Sequence, residues 1–258
     1  GGTFACNLAG SGRIRAGAAR DHLLGFRAVS GRGEVFKSGG RVVKNVTGYD
    51  LCKLLTGSFG TLAVMTEVTF KVLPVPEKIR TVLVMGAGEA LAVDAMTRAL
   101  AGPHDVSAAA HLPAAIAARS SVSYVAGAQA SVTALRVEGP GPSAAIRCEA
   151  LREALAEFGD TQELHGHNSG VLWREVADLA PFADAAAAAG EGGDGRCVWR
   201  LSVPPASGAA VAAAICAGVE CELYFDWGGG LIWLRIAADA GAAAGIVRGA
   251  INGCGGHA

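Results

Sequence analysis

Across 258 residues the sequence sets 22 Lys and Arg against 23 Asp and Glu, a formal net charge of -1, with 51% hydrophobic and 17% charged residues. That balance excludes a disordered chain and offers no basic surface for nucleic acid. Alanine and glycine raise the mean hydropathy, yet no window reaches the roughly 18 apolar residues of a bilayer span, so no membrane insertion is expected. Seven cysteines (6, 52, 148, 197, 216, 221 and 254) are an odd set that suits buried free thiols in a reducing compartment better than a disulfide framework.

The chain begins with Gly1-Gly-Thr-Phe-Ala-Cys-Asn-Leu-Ala-Gly-Ser-Gly12, dense in glycine and poor in bulky side chains. Glycine lets backbone N–H groups approach a diphosphate with no Cβ in the way. Arg20 to Leu24 reads as a helical turn. Gly25–Ser30 and Val35–Ser38 flank Gly31-Arg-Gly33 as a hairpin. Asp50–Leu55 reads as a short helix capped by Asp50, with Tyr49 a packed aromatic whose hydroxyl is satisfied. From Thr61 to Leu73 the residues alternate: Leu62, Val64, Val68, Phe70 and Val72 on one side, Ala63, Met65, Glu67, Thr69 and Lys71 on the other. This predicts a half-buried strand ended by Pro74 and Pro76.

Pro74-Val-Pro-Glu77 is the best linker, dividing the chain into 1–75 and 76–258. Beyond it the sequence predicts strands at Ile79–Met85, Val132–Val137, Cys197–Val203, Glu222–Asp226 and Leu231–Ile236, the last two a hairpin across Trp227–Gly230. Helices are expected at Gly88–Leu100, Pro142–Phe158 ended by an αL cap at Gly159, Gly208–Ala217 and Ala237–Ile251. Ala185–Gly195 reads as a flexible insertion, and no internal repeat is found. Hairpins among alternating strands and helices indicate α+β, with a ferredoxin-like antiparallel sheet backed by helices in the second part.

No nicotinamide-type G-x-G-x-x-G opens a helix and no P-loop occurs. What does occur, in order, is Gly-Gly-x-x-Ala-x-x-x-x-Gly, Gly17, Arg20-Asp21, Val43-Lys-Asn-Val-Thr-Gly-Tyr-Asp-Leu51 and Gly57-Ser-x-Gly-Thr-Leu62. Together these resemble the FAD-binding domain of the vanillyl-alcohol oxidase/p-cresol methylhydroxylase superfamily, and within it the FAD-binding subunits of bacterial glycolate oxidases. Residues 1 to about 75 carry the resemblance densely. The second part carries it loosely, through Leu172-Trp-Arg174, Asp226-Trp-Gly-Gly229 and Gly255-Gly-His-Ala258.

The resemblance implies non-covalent FAD held by Gly2, Thr3, Ala5, Asn7, Gly10, Gly12, Gly17, Gly57, Gly60, Thr61 and Leu62, with a cap or substrate domain after it. Leu8 and Ala9 stand where many relatives have a polar side chain. The implied activity is oxidation of a 2-hydroxy acid, glycolate, to the 2-oxo acid beside a second flavin subunit and an iron–sulfur subunit. The complex would be cytoplasmic or peripheral at the inner face of the plasma membrane. A non-catalytic assembly or electron-relay subunit is the alternative. The resemblance also implies flavin-domain sequence before Gly1 and a further segment after Ala258. The chain alone is therefore expected to be colourless, poorly soluble and inactive.

A hydroxy-acid site needs a cation for the carboxylate, a base for the hydroxyl proton and the flavin beside the C–H bond. Arg41, Lys44 and His257 are the candidates, although Arg41 and Lys44 also suit a solvated loop edge. His165-x-His167 has no local third ligand and Cys216 and Cys221 stand isolated, so no metal site is expected. His22 is not expected to carry a covalent flavin, and no nucleophile elbow occurs.

Overall fold

The computed structural model describes residues 1–43, 48–187, 196–237 and 240–258. Two compact units divide between Val75 and Pro76. Mixed helices and antiparallel sheets make up the fold, as expected.

In the first unit, β1 (Leu23–Ser30) is the central strand between β2 (Val35–Gly39) and β3 (Ala63–Phe70), both antiparallel to it. A small core of Phe4, Leu23, Phe26, Ala28, Cys52, Leu55 and Ala63 lies against helices α1 (Gly2–Ala5) and α2 (Leu51–Leu55). Asp50 caps α2 as expected, its carboxylate accepting from the Lys53 N–H at 3.1 Å.

The alternating face expected for β3 does not form. Pairing runs Arg27↔Glu67 and then Ala28↔Met65, so Thr66 is an extra residue, a β-bulge that reverses side-chain parity. Ala63 and Met65 point inward before the bulge and Val68 after it, while Leu62 and Val64 are 51% and 64% exposed. Tyr49 is also corrected: it is 92% exposed rather than packed, because it precedes the α2 cap and lies off the helix face that buries Cys52 and Leu55.

The second unit is built on a seven-stranded antiparallel sheet in the order β7-β4-β6-β5-β9-β10-β8. Its strands are β4 (Lys78–Met85), β5 (Val106–Leu112), β6 (Val132–Gly139), β7 (Asp160–His165), β8 (Arg196–Ser202), β9 (Cys221–Asp226) and β10 (Leu231–Ala237). Helices α3 (Glu89–Ala101) and α4 (Gly141–Leu155) complete a β4-α3-β5-β6-α4-β7 unit whose strands lie 4-1-3-2, the ferredoxin-like order.

The chain then repeats the device. After α5 (Gly166–Ala177) and α6 (Ala180–Ala187), β8, α7 (Gly208–Gly218), β9, β10 and α8 (Ala240–Asn252) form a second βαββα unit in the mirrored strand order. The repeat expected to be absent is thus present in topology. It is invisible in sequence because alternation of burial, not residue identity, is what recurs.

Helices α3, α4, α7 and α8 cover one face of the sheet through Met96, Leu151, Ile215 and Val247. On the other face Ile116, Leu172, Trp173 and Phe182 pack on Leu83, Leu112, Ala134 and Tyr224. Trp173 Nε1 donates to Thr81 Oγ1 at 2.8 Å, and Thr81 also bonds Ser169 Oγ at 2.6 Å, so α5 is tied to β4 by a buried polar chain.

Gly159 ends α4's last turn with φ 152° and ψ 179° rather than as an αL cap, because the chain passes straight into β7 beside the Met85 carbonyl. Residues 188–195 of the expected insertion lie outside the described residues; Ala185–Ala187 close α6.

The cysteine expectation is also corrected. Cys216 and Cys221 are disulfide-bonded with Cα atoms 5.9 Å apart, because the short connection after α7 brings the helix end onto the first residue of β9. Of the five free thiols only Cys52 and Cys148 are buried. Denatured protein prepared without reductant should therefore show five reactive thiols by thiol titration, and seven after reduction. Loss of so short a cross-link should lower stability by on the order of 2 kcal/mol.

Candidate functional site

The two glycine segments meet in the first unit. Gly57 N donates to the Phe4 carbonyl at 3.1 Å and Phe59 N to the Ala5 carbonyl at 2.8 Å, so the turn 57–62 lies along α1. Asn7 (φ 49°) ties the first glycine segment to the following helical turn, its Oδ1 accepting from Arg20 N at 2.9 Å. Thr61 Oγ1 donates to the Ser58 carbonyl at 2.6 Å and closes the turn.

Glycine is required for different reasons along this surface. Gly57 and Gly60 have φ of 86° and 78°, which side chains resist. At Gly17 (φ 85°) a Cβ would stand 2.8 Å from the Asp21 carboxylate, so that glycine serves the turn itself. Asp21 accepts from Ala18 N at 2.8 Å, a bond that holds its carboxyl below the usual carboxylate range. Gly2 and Gly10 differ from all three. Neither has positive φ, and a Cβ at either would meet nothing within 4 Å. Gly2, Thr3, Gly10, Gly60, Thr61 and Leu62 are exposed, and Ala5, Asn7, Gly12, Gly17 and Gly57 partly so. Sequence reasoning passed over Ser58, whose hydroxyl is buried in this turn with no hydrogen-bond partner among the described residues. Only its place inside Gly57–Leu62 could have marked it.

The candidate catalytic side chains are not gathered in one unit. Arg41 is exposed beyond β2 in the first unit, and Lys44 lies outside the described residues. His257 is in the second unit, exposed and paired with the edge strand: Ser202 N donates to its carbonyl at 2.8 Å and its own N–H to the Ser202 carbonyl at 2.9 Å. His165 ends β7 and His167 lies in α5; no group of three metal-ligating side chains occurs among the described residues. No helix among the described residues is long and apolar enough to cross a membrane.

No family model matches the chain. Individual proteins do. Glycolate oxidase subunit GlcE of Escherichia coli is 51% identical over 76 residues, 30% of this chain and 22% of that protein. Glycolate oxidase subunit GlcD of Bacillus subtilis is 38% identical over 85 residues, 33% of this chain and 18% of that protein. An uncharacterized FAD-linked oxidoreductase of Mycobacterium tuberculosis is 46% identical over 74 residues, 29% and 16% of the two chains. About a third of the chain is thus similar to proteins named as glycolate oxidase subunits and as an FAD-linked oxidoreductase. It spans about a fifth of the length of these relatives.

Among solved structures, alkyldihydroxyacetonephosphate synthase matches with a TM-score of 0.69 at 17% identity, over 100% of this chain and 53% of its own. p-Cresol methylhydroxylase matches with a TM-score of 0.57 at 13% identity, over 90% and 54%. The chain shares the fold of these two structures.

Proposed function

We propose that this chain is part of an FAD-dependent oxidoreductase that converts a 2-hydroxy acid, glycolate foremost, into its 2-oxo acid. The observation that carries the reading is the seam between α1 and the turn 57–62. Gly2 in α1 and Gly10 beyond it are glycine although neither backbone angles nor neighbouring atoms of the described residues demand it. Open space at a glycine Cα lets a ligand approach the main chain closely.

FAD fits this surface. Gly2, Thr3, Ala5, Asn7, Gly10, Gly12, Gly57, Gly60, Thr61 and Leu62 would hold it non-covalently, with Gly17 shaping the turn behind them. Leaving the Ser58 hydroxyl unpaired costs about 1–3 kcal/mol, which a rotamer change toward a bound phosphate would relieve. Bound flavin would supply the hydride acceptor; the residues of this chain would position it and the substrate. Relatives named as glycolate oxidase subunits, as D-lactate dehydrogenase and as D-2-hydroxyglutarate dehydrogenase support the substrate class. The subunit names support a multi-subunit complex; a second flavin subunit, an iron–sulfur subunit and a place at the inner membrane face complete the proposal.

Gly2→Val and Gly10→Val in the full-length protein test the cofactor surface. Thermal stability should change little, since a Cβ at either position meets no protein atom, while flavin absorbance after purification should fall several-fold. Normal flavin content in both variants would move the cofactor elsewhere. The substrate class is tested by adding glycolate or D-lactate to the purified complex: if neither bleaches the flavin, the assignment is wrong.

A second reading, a relay subunit with flavin but no substrate site, is favoured by the sparse set of candidate catalytic side chains, Arg41, Lys44 and His257, none of them a convincing base. Unchanged turnover in the complex on substituting Arg41, Lys44 and His257 would support it.

A further inference from the structure

Strand β3 closes one side of the first unit's sheet, with β1 as its one strand partner among the described residues. Lys71 carries that pairing one residue further, its N–H donating to the His22 carbonyl at 3.0 Å. The outer edge of such a strand presents backbone donors and acceptors to any strand laid beside it, and charged residues normally blunt it. Here the charges are placed so that they match a second copy of the same edge.

Beyond the bulge at Thr66 the strand alternates. Val68 packs on the small core of the first unit and the Phe70 ring lies 5.4 Å from that of Phe4, so these two share the inner face. Glu67, Thr69 and Lys71 take the other face, with Glu67 and Lys71 exposed. When two copies of a strand pair antiparallel about a two-fold axis through one residue, positions equally far before and after it stand opposite and project to one face. With the axis at Thr69, Glu67 meets Lys71 of the second copy, Val68 meets Phe70, and Thr69 meets itself. Both charges are matched, apolar faces apolar on the inner side, and the two Thr69 hydroxyls lie together. No neighbouring register does this. An axis at Glu67 or Lys71 sets like charges together, which destabilises a pair, and an axis at Val68 or Phe70 sets one of the charges against Thr69.

The flanks agree with the same register. Residues after Lys71 in one copy run past residues before Glu67 in the other. Val72, Leu73 and Val75 are exposed on the first side, Leu62 and Val64 on the second, so each copy's apolar flank covers the other's. The opposite edge strand, β2, holds Lys37 and no acidic residue within Val35–Gly39, and offers no such match.

We propose that β3 is the pairing edge of a two-fold dimer of this chain. The two sheets join into one, in the order β2-β1-β3-β3-β1-β2. Glu67, already opposite Arg27 on β1, then stands between that arginine and Lys71 of the second copy.

Analytical ultracentrifugation of the 258-residue chain over a wide concentration range should give a reversible species of twice the 25.9 kDa chain mass. Glu67→Lys alone, or Lys71→Glu alone, should weaken dimerisation at least tenfold, since each sets like charges opposite one another twice in the dimer. The double exchange, Glu67→Lys with Lys71→Glu, should restore it, and Lys37→Glu on β2 should leave it intact. Far-UV circular dichroism checks that each variant is folded. A monomer at every concentration overturns the proposal, and so does a dimer that the folded single variants leave undiminished or that the double exchange fails to restore. A full-length protein that stays monomeric while the 258-residue chain dimerises also overturns it, and assigns the edge to another segment of the same polypeptide.

Discussion

Gly159→Ala is expected to destabilise the second unit by more than about 3 kcal/mol. Backbone conformation makes the first contribution: φ 152° is open to glycine and strained for alanine, at roughly 1–3 kcal/mol. Collision makes the second, since an ideal Cβ would stand 2.3 Å from the Met85 carbonyl oxygen. That oxygen cannot retreat cheaply, because Met85 is paired on both sides, with Val132 on β6 and Asp160 on β7. In a unit of this size a 3 kcal/mol loss lowers the melting temperature by about 6–12 °C. Gly170→Ala is the control. It sits inside α5, has no positive φ and meets nothing within 4 Å, so alanine should stabilise by up to about 1 kcal/mol. Calorimetry on the two variants decides the matter: equal effects would mean that the turn from α4 into β7 gives way freely.

Different parts of the molecule were legible for different reasons. Helices α3 and α4 announce themselves through Ala92, Met96 and Ala99, and through Ala144, Cys148, Leu151 and Leu155, all now buried. The β9–β10 hairpin is equally plain, from two apolar runs around three glycines. Strand β5 was missed because Val106-Ser-Ala-Ala-Ala-His-Leu112 is buried at every position, so no alternation exists to detect. The bulge at Thr66 misled differently: the period of two holds on either side of it and only the parity changes. At the candidate site, the turn glycines Gly17, Gly57 and Gly60 could be read from the chain, since their positive φ is a local demand. Ser58 could not, because its hydroxyl is buried without a partner among the described residues only once the turn 57–62 has folded.

His111 should make the second unit labile in mild acid. Its side chain is 1% exposed on β5, with Nδ1 2.9 Å from Thr133 Oγ1 and the ring 6.0 Å from that of Phe225. Nε2 is buried with no partner among the described residues, so a proton added there would have nothing to bond. Desolvation lowers the pKa from 6.5 to about 4, and the charge of Glu89 only partly opposes it. Because the folded value lies below the unfolded one, the unfolded chain takes up the proton first. Stability is therefore complete above pH 6.5 and is lost as the pH falls toward 4. A shift of that size corresponds to about 3 kcal/mol. Urea unfolding at pH 7.5 and pH 4.5 should show a loss of that order in the parent chain. His111→Gln, which keeps a polar group beside Thr133 but cannot titrate, should be less stable at pH 7.5 and lose about 3 kcal/mol less between the two conditions. Parallel losses in the two proteins would show that His111 reaches water or a partner on protonation, and that other groups govern the acid response.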